Sequence, residues 1–339
     1  MKITGIDTWL NGEPTTIAEQ AAMHNVVLID FWTYTCINCL RTIPRLQSWQ
    51  EKYGDRGLTI IGVHSPEFEF EKNTENVQDA IDRLGVSWLV AQDNEMETWR
   101  AFDNNVWPAK FLFSSGGLSI YQHFGEGEYN VTETRIRQAL TAAGHDISDI
   151  PFERLQEDVR DPFSLSETPE IYAGYAASYQ PQGLYNGHPR FYTGPDQVLV
   201  YEDPGDGFRT NGRYYLQGAW ENRVESIVHA RQTEDLEDYI ALAFGARSVN
   251  VVIKPVSSEP LMAPFEVVIE IDDRPLTPDE AGADIVFTDL GESVIQVLEP
   301  RLYALIETSE YTQANLKMRS NSNNFAVFAW TFGTYLDGA

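Results

Sequence analysis

The first 145 residues alternate between short unbroken apolar runs and stretches in which apolar positions recur with a helical period. The runs VVLIDFW (26–32) and LTIIGVH (58–64) are rich in β-branched residues, which predicts strands buried on both faces of a sheet. Between them apolar residues recur every three to four positions until Gly54, which predicts a helix that ends at that glycine. The recurring residues are Leu40, Ile43, Leu46, Trp49 and Tyr53.

The same kind of pattern continues to residue 144. The last two predicted strands form a hairpin, whereas the earlier strands alternate with helices, and this order predicts an α/β domain over residues 1–145. The further elements are a helix over 76–85, the strand SWLVA, a helix around EMETWRAF, a hairpin over 109–125 that turns at Gly116-Gly117, and a helix over 131–144 with Thr132 as its N-cap.

Residues after 145 follow a different pattern. The segment 146–170 is rich in Asp, Glu, Ser and Pro and lacks a long apolar run, which predicts a linker or arm. Over residues 171–339 short apolar runs are separated by turn signals, which predicts an all-β domain, a β-sandwich of jelly-roll type. The candidate strands are QVLVYE, RYYLQGAWE, ESIVHARQ, YIALAFGA, SVNVVIKP, FEVVIEID, ADIVFTD, ESVIQVLE, RLYALIETS, ANLKMRS and NFAVFAWTFG.

The charge of the chain narrows its range of partners. The 24 basic and 51 acidic residues give a formal net charge of −27, so the surface repels nucleic acid and anionic membranes. The N-terminal segment has no basic stretch followed by an apolar run, and no stretch reaches the roughly 18 uncharged apolar residues of a membrane helix. We therefore expect no nucleic-acid partner, no transmembrane segment and, for the sequence as written, a cytoplasmic protein.

Cys36 and Cys39 are the two cysteines of the chain. Two cysteines cannot form a disulfide scaffold for a protein of this size, so their role is interpreted as chemical. Cys36 is predicted at the start of a helix, where unpaired N–H groups and the helix dipole favour a thiolate. Cys39 lies one turn further on the same face, within reach of Cys36. The spacing fits an attacking and a resolving thiol that form a redox-active disulfide without a metal or organic cofactor.

Two residues near the predicted strands leave alternatives open. Asp30 lies within an apolar strand, where burial would raise the pKa of its carboxyl and let it take a proton from Cys39. The alternative is an aspartate that hydrogen-bonds to backbone at the end of the strand. Pro108, which follows Trp107, is either the first residue of a strand or a cis-proline beside the dithiol.

Two other cysteine chemistries compete with a redox pair. A zinc site needs two further ligands, and no two histidines lie three to five residues apart, so we expect no metal. Thr33-x-x-Cys36 is similar to the peroxidatic motif of peroxiredoxins, which makes a thiol peroxidase the alternative activity. The proline usually found upstream of that threonine is absent. The histidines are His24, His64, His123, His145, His188 and His229.

Residues 1–145 resemble the thioredoxin-like domains of the TlpA/DipZ group. VVLIDFWTYTCINCLRTIPRL, IIGVHSPEFEFEK and VWPAKFLF carry the resemblance, and FWTYTCINCLRT is similar to the DipZ form of the active-site motif. The resemblance implies a thioredoxin fold in which Cys36 is the exposed nucleophile and Cys39 resolves. It also implies that Asp30 is buried below Cys39 and that Pro108 follows a cis peptide bond beside the disulfide.

The C-terminal half resembles the soluble end of DipZ proteins through TPEIYAGYA, RYYLQGAW and AVFAWTFG. That resemblance implies a fold like that of carbohydrate-binding modules. The aromatic residues Tyr214, Tyr215 and Trp220 either stack on sugar rings or belong to the core, where aromatic residues of a β-sandwich are more often found. Carbohydrate is therefore a second candidate partner, and a glycan-binding module with an accessory redox domain is a second alternative function.

The resemblance implies a thiol–disulfide oxidoreductase that exchanges its dithiol with cysteines of partner proteins. We expect a reducing role, as in cytochrome c maturation or thiol repair, with an electron donor that the sequence does not identify. Many DipZ proteins carry an N-terminal membrane domain that this sequence lacks, so an extracytoplasmic location is expected if the chain is a soluble part of such a protein. We expect the substrate to contact residues around the dithiol, namely Trp107, Pro108, Trp32 and Tyr34.

Overall fold

The computed structural model describes residues 1–154, 167–177, 185–193, 195–257 and 261–334. The chain divides into two compact units, Met1–Asp158 and Val159–Gly338, which we call the N-terminal and the C-terminal unit. Within the described ranges no helix combines the length and the apolar character that crossing a bilayer requires.

The N-terminal unit contains a six-stranded sheet in the order β1-β4-β3-β2-β5-β6. Strands β2, β3 and β4 are parallel, and the other neighbours are antiparallel, as in the thioredoxin fold. The elements are β1 Thr8–Leu10, α1 Ile17–Ala22, β2 Val26–Trp32, α2 Ile37–Tyr53, β3 Leu58–His64, α3 Thr74–Leu84, β4 Leu89–Gln92, α4 Glu97–Ala101, β5 Ala109–Phe113, β6 Ser119–Phe124 and α5 Tyr129–Ala142.

Strand β2 is central in this sheet, and each of its seven residues is buried. Side chains alternate between the two faces of a strand, so Val27, Ile29 and Phe31 share one face and pack into one hydrophobic core. Asp30 therefore belongs to the opposite face. The continuous apolar run of the sequence is explained by this coverage on both faces.

Within the N-terminal unit the predicted elements from β2 to α5 are confirmed, but β1 and α1 were not predicted. Both are short, so periodicity gives little signal. A capping box marks the start of α1, because Thr16 accepts from the Glu19 N–H while the Glu19 carboxylate accepts from the Thr16 N–H. The prediction of Thr132 as an N-cap is wrong: α5 begins at Tyr129, and Thr132 is buried inside the helix, 3.1 Å from the Tyr121 hydroxyl.

The C-terminal unit is all-β in its described residues, and its strand pairs are antiparallel. The sheet order is β14-β15-β12-β16-β11-β17-β10-β9-β8, with β13 beside β12 and β7 beside β17. The strands are β7 Ile171–Tyr172, β8 Val198–Tyr201, β9 Tyr214–Asn222, β10 Ile227–His229, β11 Tyr239–Ile253, β12 Phe265–Ile271, β13 Arg274–Pro275, β14 Val286–Phe287, β15 Ser293–Val297, β16 Arg301–Arg319 and β17 Ala326–Gly333.

Two pairs of predicted strands are in fact two long strands. YIALAFGA and SVNVVIKP both belong to β11, and RLYALIETS and ANLKMRS both belong to β16. These two strands pair with each other, and their register shifts between Ala246 and Ser248. A register shift of this kind bends a strand without ending it. In the sequence the buried Arg247 interrupts the apolar pattern at this place, and the interruption was interpreted as the end of a strand.

The aromatic residues considered for sugar stacking lie in the interior. Tyr214, Tyr215 and Trp220 of β9 are all buried, and Tyr214 and Trp220 belong to the hydrophobic core of the C-terminal unit. They do not form a sugar-binding surface in this structure, so the core interpretation holds for them.

The predicted linker over 146–170 is described only in part, because residues 155–166 lie outside the described ranges. Its first residues pack on the N-terminal unit: Arg56 donates to the Asp146 carbonyl at 2.8 Å, and Arg137 donates to the Ile150 carbonyl at 2.9 Å. Its last residues already pair with the C-terminal unit, since the Thr168 N–H donates to the Gly245 carbonyl. The described parts of this segment thus belong to the two units.

Candidate active site

Cys36 is the last residue of the loop 33–36, which joins β2 to α2, and it lies immediately before the first residue of the helix. Its carbonyl accepts hydrogen bonds from the Cys39 and Leu40 N–H groups, both at 3.0 Å, which close the first turn of the helix. The side chain is partly exposed. The first N–H groups of a helix and its dipole place partial positive charge here, so the partly exposed Cys36 side chain lies at the electropositive end of α2.

Cys39 lies one turn below and is sealed from solvent, with 1% of its surface exposed. Burial raises the pKa of its thiol well above the ordinary value, and a hydrogen bond with Cys36 raises it further, whereas a hydrogen bond from the Thr33 backbone opposes this shift. Both cysteines are free thiols in this structure, and that hydrogen bond brings the two thiols into contact. Cys39 is therefore a protonated thiol that needs a base before it can attack.

Asp30 provides a carboxyl near Cys39. Its side chain is 2% exposed, and burial raises its pKa from 3.8 to about 7, although the charge of Lys110 acts in the opposite direction. The negative charge of Asp30 in turn raises the pKa of Cys39, which shows that the two groups interact. A carboxyl that titrates near neutral pH can both accept and release a proton under ordinary conditions.

Lys110 is part of this site and was missed in the sequence. It lies in β5 opposite Asp30 of β2, and its ammonium nitrogen is 3.9 Å from Asp30 Oδ1. Its side chain is 0% exposed, and burial lowers its pKa, while the charges of Asp30, Cys39 and Glu126 act in the opposite direction. The signal was present in AKFLF (109–113), where a lysine interrupts a strand that is otherwise apolar.

Glu71 is a second residue that the sequence analysis missed. It belongs to a 3-10 turn, Glu69–Lys72, and is buried. Its carboxylate accepts hydrogen bonds from the hydroxyls of Thr33 and Thr35 and from the N–H groups of Glu67 and Phe68. Two of these donors belong to the loop that leads to Cys36, so Glu71 fixes the path of that loop.

Trp32 is the last residue of β2 and Tyr34 belongs to the loop of residues 33–36, and both side chains are almost fully buried. The ring of His64 stacks on Tyr34 and meets Trp32 edge to face, and burial lowers the pKa of His64 to about 3, so it packs as a neutral ring. Gly62 makes room for this packing, because a Cβ there would lie 2.9 Å from Trp32 Nε1. In this structure the two side chains thus pack against His64 in the interior, and the direct contact with substrate stays a prediction.

Trp107 and Pro108 precede β5, and the peptide bond between them is cis, as the resemblance implies. Ala109, the next residue, pairs with Phe31 of β2, so the turn lies beside the end of β2 from which the cysteine loop starts. Trp107 is half-buried, with its ring 4.3 Å from that of Trp99 and its indole N–H donating to the Ser65 carbonyl at 3.0 Å. The structure thus holds a rigid aromatic surface at this turn.

The described residues contain no group of three or more His, Cys, Asp or Glu side chains arranged to hold a metal ion. The polar groups gathered around the dithiol are instead an aspartate, a lysine and, beneath the loop, a glutamate. Their arrangement is suited to moving a proton at a thiol.

Residues 168–333 match a family model described as "Thioredoxin like C-terminal domain". "Protein DipZ" of Mycobacterium tuberculosis (strain CDC 1551 / Oshkosh) is 37% identical over 223 residues, which cover 64% of this chain and 31% of that protein. The matched part thus spans less than a third of the length of DipZ. "Thiol-disulfide oxidoreductase YkuV" of Bacillus subtilis (strain 168) is 29% identical over 140 residues, covering 41% of this chain and 92% of YkuV.

A solved structure titled "Solution Structure of a Thioredoxin-like Protein in the Oxidized Form" is 25% identical, covers 41% of this chain and 93% of that chain, and has a TM-score of 0.38. The sheet order of the N-terminal unit, the cysteine pair at the start of α2 and the similarity to DipZ and YkuV agree with one another. Over the matched parts the chain is therefore a homologue of DipZ and of the thiol–disulfide oxidoreductase YkuV, and its N-terminal unit is thioredoxin-like.

Proposed function

We propose that the chain exchanges the Cys36–Cys39 dithiol with disulfides of partner proteins. The observation that carries the proposal is the difference in exposure between the two thiols. Cys36 is partly exposed at the start of a helix, whereas Cys39 is buried and in contact with Cys36. An exposed thiolate can reach a disulfide of another protein. A buried thiol can attack only the sulfur of Cys36 itself, with which it is in contact.

In the first step the Cys36 thiolate attacks one sulfur of a substrate disulfide. A mixed disulfide forms, and the other substrate sulfur leaves as a thiolate. In the second step Cys39 gives its proton to the Asp30 carboxylate, and its sulfur attacks Cys36. The Cys36–Cys39 disulfide forms, the bond to the substrate breaks, and the substrate leaves as a second thiolate. Two electrons thus pass from the dithiol to the substrate, whose thiolates take protons from solvent.

We propose a reducing direction, with a dithiol protein as the donor that restores Cys36 and Cys39. No metal or organic cofactor takes part in either step, because the disulfide itself carries the two electrons. Substrates of the kind met in cytochrome c maturation or thiol repair fit this direction. The name of YkuV, a thiol–disulfide oxidoreductase, supports the reaction class.

The turn at Trp107 and Pro108 is the proposed docking site for the substrate chain. It lies beside the end of β2 from which the cysteine loop starts, and an extended peptide can pair with backbone there. Trp107 supplies a half-buried ring held by Trp99 and by the Ser65 carbonyl. Trp32 and Tyr34 are proposed as support for the cysteine loop, since their side chains are buried.

For the C-terminal unit we propose a β-sandwich of jelly-roll type, similar to carbohydrate-binding modules. Its antiparallel strand pairs and the large hydrophobic core formed by its described residues support that architecture. We propose that it serves as a docking or stabilising unit, because the aromatic residues first considered for sugar stacking are buried. A rise in melting temperature with any member of a glycan panel would instead favour a glycan-binding role.

The alternative activity, a thiol peroxidase, has less support. It needs Thr33 to present its hydroxyl to a peroxide near Cys36. In the structure Thr33 is buried and its hydroxyl donates to Glu71 at 2.6 Å. Consumption of hydrogen peroxide with a dithiol donor, at a rate above that of insulin disulfide reduction, would favour the peroxidase.

The proposed function is tested with two serine variants. Cys36→Ser should abolish insulin disulfide reduction, because no thiolate remains within reach of the substrate. Cys39→Ser should accumulate mixed disulfides with protein substrates, which non-reducing electrophoresis detects, because the release step is blocked. Normal turnover by either variant would contradict the assignment of that cysteine.

A further inference from the structure

The peptide unit that joins Trp32 to Thr33 makes a contact at each of its polar ends. Its carbonyl, that of Trp32 at the end of β2, accepts a hydrogen bond from the N–H of Ser65 at 3.1 Å. Its N–H, that of Thr33, donates to the thiol of Cys39. A hydrogen bond to the charged form of a group favours that form, so this N–H stabilises the thiolate of Cys39.

The ionisable groups that face Cys39 come from two strands and from the start of its own helix. Asp30 of β2 and Cys36, immediately before α2, disfavour its thiolate, whereas Lys110 of β5 attracts it. Burial acts against the thiolate as well. The Thr33 N–H is thus a neutral donor at a sulfur on which burial and two neighbours oppose a negative charge.

The side chain of Thr33 is also fixed. Its hydroxyl donates to Glu71 at 2.6 Å and lies 3.4 Å from Nε2 of His64, and all three residues are 0% exposed. Because a hydrogen bond in the interior is electrostatically stronger than one in water, the bond to Glu71 holds Thr33 in one orientation. A rotation of the Trp32–Thr33 peptide would strain this bond together with the contact to Ser65.

Thr35 provides a comparison within the same loop. Its hydroxyl donates to the same oxygen of Glu71 at 2.5 Å, and its side chain is also buried. The contact with Cys39, however, belongs to Thr33. The two threonines thus share one anchor and differ in their relation to the resolving thiol.

We propose that Thr33 is a positioning residue for the resolving step, because Glu71 holds its hydroxyl and thereby keeps its N–H directed at the sulfur of Cys39. The inference rests on the proposed function and adds the donor that stabilises Cys39 when this thiol loses its proton. Thr33 forms and breaks no covalent bond in that step. The proton of Cys39 passes to the carboxylate, the new disulfide bond joins Cys39 to Cys36, and the substrate leaves as a thiolate.

The resolving step can be followed with dithiobis(nitrobenzoate), a small disulfide that releases a coloured thiolate. The reduced full-length protein should release one thiolate when Cys36 attacks, at a rate that rises with reagent concentration, and a second when Cys39 resolves, at a rate that does not. In Thr33→Val, which keeps the shape and removes the hydroxyl, the midpoint of the pH profile of the second phase should move upward by about half a pH unit or more. That phase should slow about threefold at pH 7, because less Cys39 thiolate is present. The first phase should stay close to that of the wild type.

Two further variants separate this role from the anchoring of the loop. Thr35→Val is the matched control, because it removes a hydroxyl from the same carboxylate. It should lower the free energy of unfolding by a similar amount and leave the midpoint of the second phase close to that of the wild type. Thr33→Ser keeps a hydroxyl that can donate to Glu71 and should restore much of the wild-type midpoint.

An unchanged midpoint in folded Thr33→Val, or an equal shift in Thr35→Val, would overturn the role of Thr33. Should Thr33→Val fail to fold, the amide proton resonance of Thr33 in the reduced wild type decides. A chemical shift that follows the ionisation of Cys39, and loses this titration in Cys39→Ser, supports the inference. A shift that does not titrate, or that titrates unchanged in Cys39→Ser, overturns it. Absence of the first phase in the wild type would instead contradict the proposed function itself.

Discussion

At the scale of single residues, Asp30 links the reactivity of the site to the stability of the fold. In the unfolded chain its carboxyl titrates at its ordinary pKa of 3.8, whereas burial raises the pKa to about 7 in the folded protein. Between these two values the folded state binds the proton more tightly. The free energy of unfolding therefore falls as the pH rises through this window, and the fall ends above the folded pKa.

Asp30→Asn should remove this pH dependence. From pH 5 to pH 7 the free energy of unfolding of the reduced wild type should fall more than that of the variant, by about 2 kcal/mol. Burial lowers the pKa of Lys110, so titration of this lysine in the variant would make the free energy of unfolding rise with pH. Such a rise would widen the difference between the variant and the wild type. Denaturant unfolding at the two pH values measures the difference.

The control for this measurement is Asp79→Asn, which changes an exposed aspartate of α3 and should leave the pH dependence as it is in the wild type. Equal slopes for Asp30→Asn and the wild type would mean that Asp30 is ionised to the same degree in the folded and unfolded states. Its proposed part in deprotonating Cys39 would then lose its physical basis.

At the scale of elements, the loop that delivers Cys36 is held by a neighbouring turn. Residues 33–36 connect β2 to α2, and two of their hydroxyls donate to Glu71 in the turn Glu69–Lys72. The same carboxylate accepts the N–H groups of Glu67 and Phe68. One buried side chain therefore joins the chain after β2 to the chain after β3.

Glu71→Ala should lower the free energy of unfolding by about 3 kcal/mol or more, since two backbone N–H groups and two hydroxyls lose their acceptor in the interior. Glu71→Gln should lose much less, because its oxygen can still accept the two N–H groups while the threonine hydroxyls turn to accept from its amide. Denaturant unfolding of the two variants provides the comparison.

The matched control is Glu69→Gln in the same turn. Glu69 is exposed and pairs with Lys72 at the surface, where ion pairs contribute little. If Glu71→Ala and Glu69→Gln had similar small effects, Glu71 would not be the residue that holds the loop.

At the scale of the whole molecule, the net charge of −27 bears on which partners can approach the site. Acidic residues also outnumber basic ones within residues 1–150, by 21 to 11, so this part of the chain, which carries the dithiol, is itself acidic. A field of one sign accelerates the association of oppositely charged partners and slows that of partners with the same charge. We therefore expect faster reaction with substrates in which basic residues surround the disulfide.

Two peptide disulfides of equal length, one flanked by lysines and one by glutamates, test this expectation. At low ionic strength the basic peptide should be reduced about tenfold faster or more, because the field steers it toward the protein. The ratio should approach one as salt is added, since mobile ions screen the charges. Equal rates at low salt would show that the net charge does not act at the dithiol, and a neutral disulfide provides the rate without steering.

Much of the N-terminal unit could be predicted from sequence because its signals are local. The run VVLIDFW, the period of Leu40 to Tyr53 and the two thiols one turn apart each lie within a single element or at its end. β1 and α1 were missed because three and six residues are too few to show a period. The long strands β11 and β16 were divided because a register shift and a turn look alike in one strand taken alone.

The partners of the dithiol show where local signals end. Lys110 and Glu71 come from a later strand and a later turn, and only the sheet order and the loop path bring them to Asp30 and Thr33. Trp32 and Tyr34 illustrate the reverse case. They are close to Cys36 in sequence, yet their side chains are almost fully buried in this structure.

The sequence by itself determined the strand–helix order of the redox unit, the dithiol at the start of a helix and the all-β character of the C-terminal half. These three features depend on the spacing of residues within single segments, and that spacing is the same whether the chain is folded or unfolded. Only the tertiary structure decided which thiol is sealed, that Asp30 faces a buried lysine, and that Glu71 anchors the cysteine loop. Burial and ion pairing arise only when segments distant in sequence come together in the fold. The pKa of a thiol or carboxyl then changes because the group loses contact with solvent and gains charged neighbours.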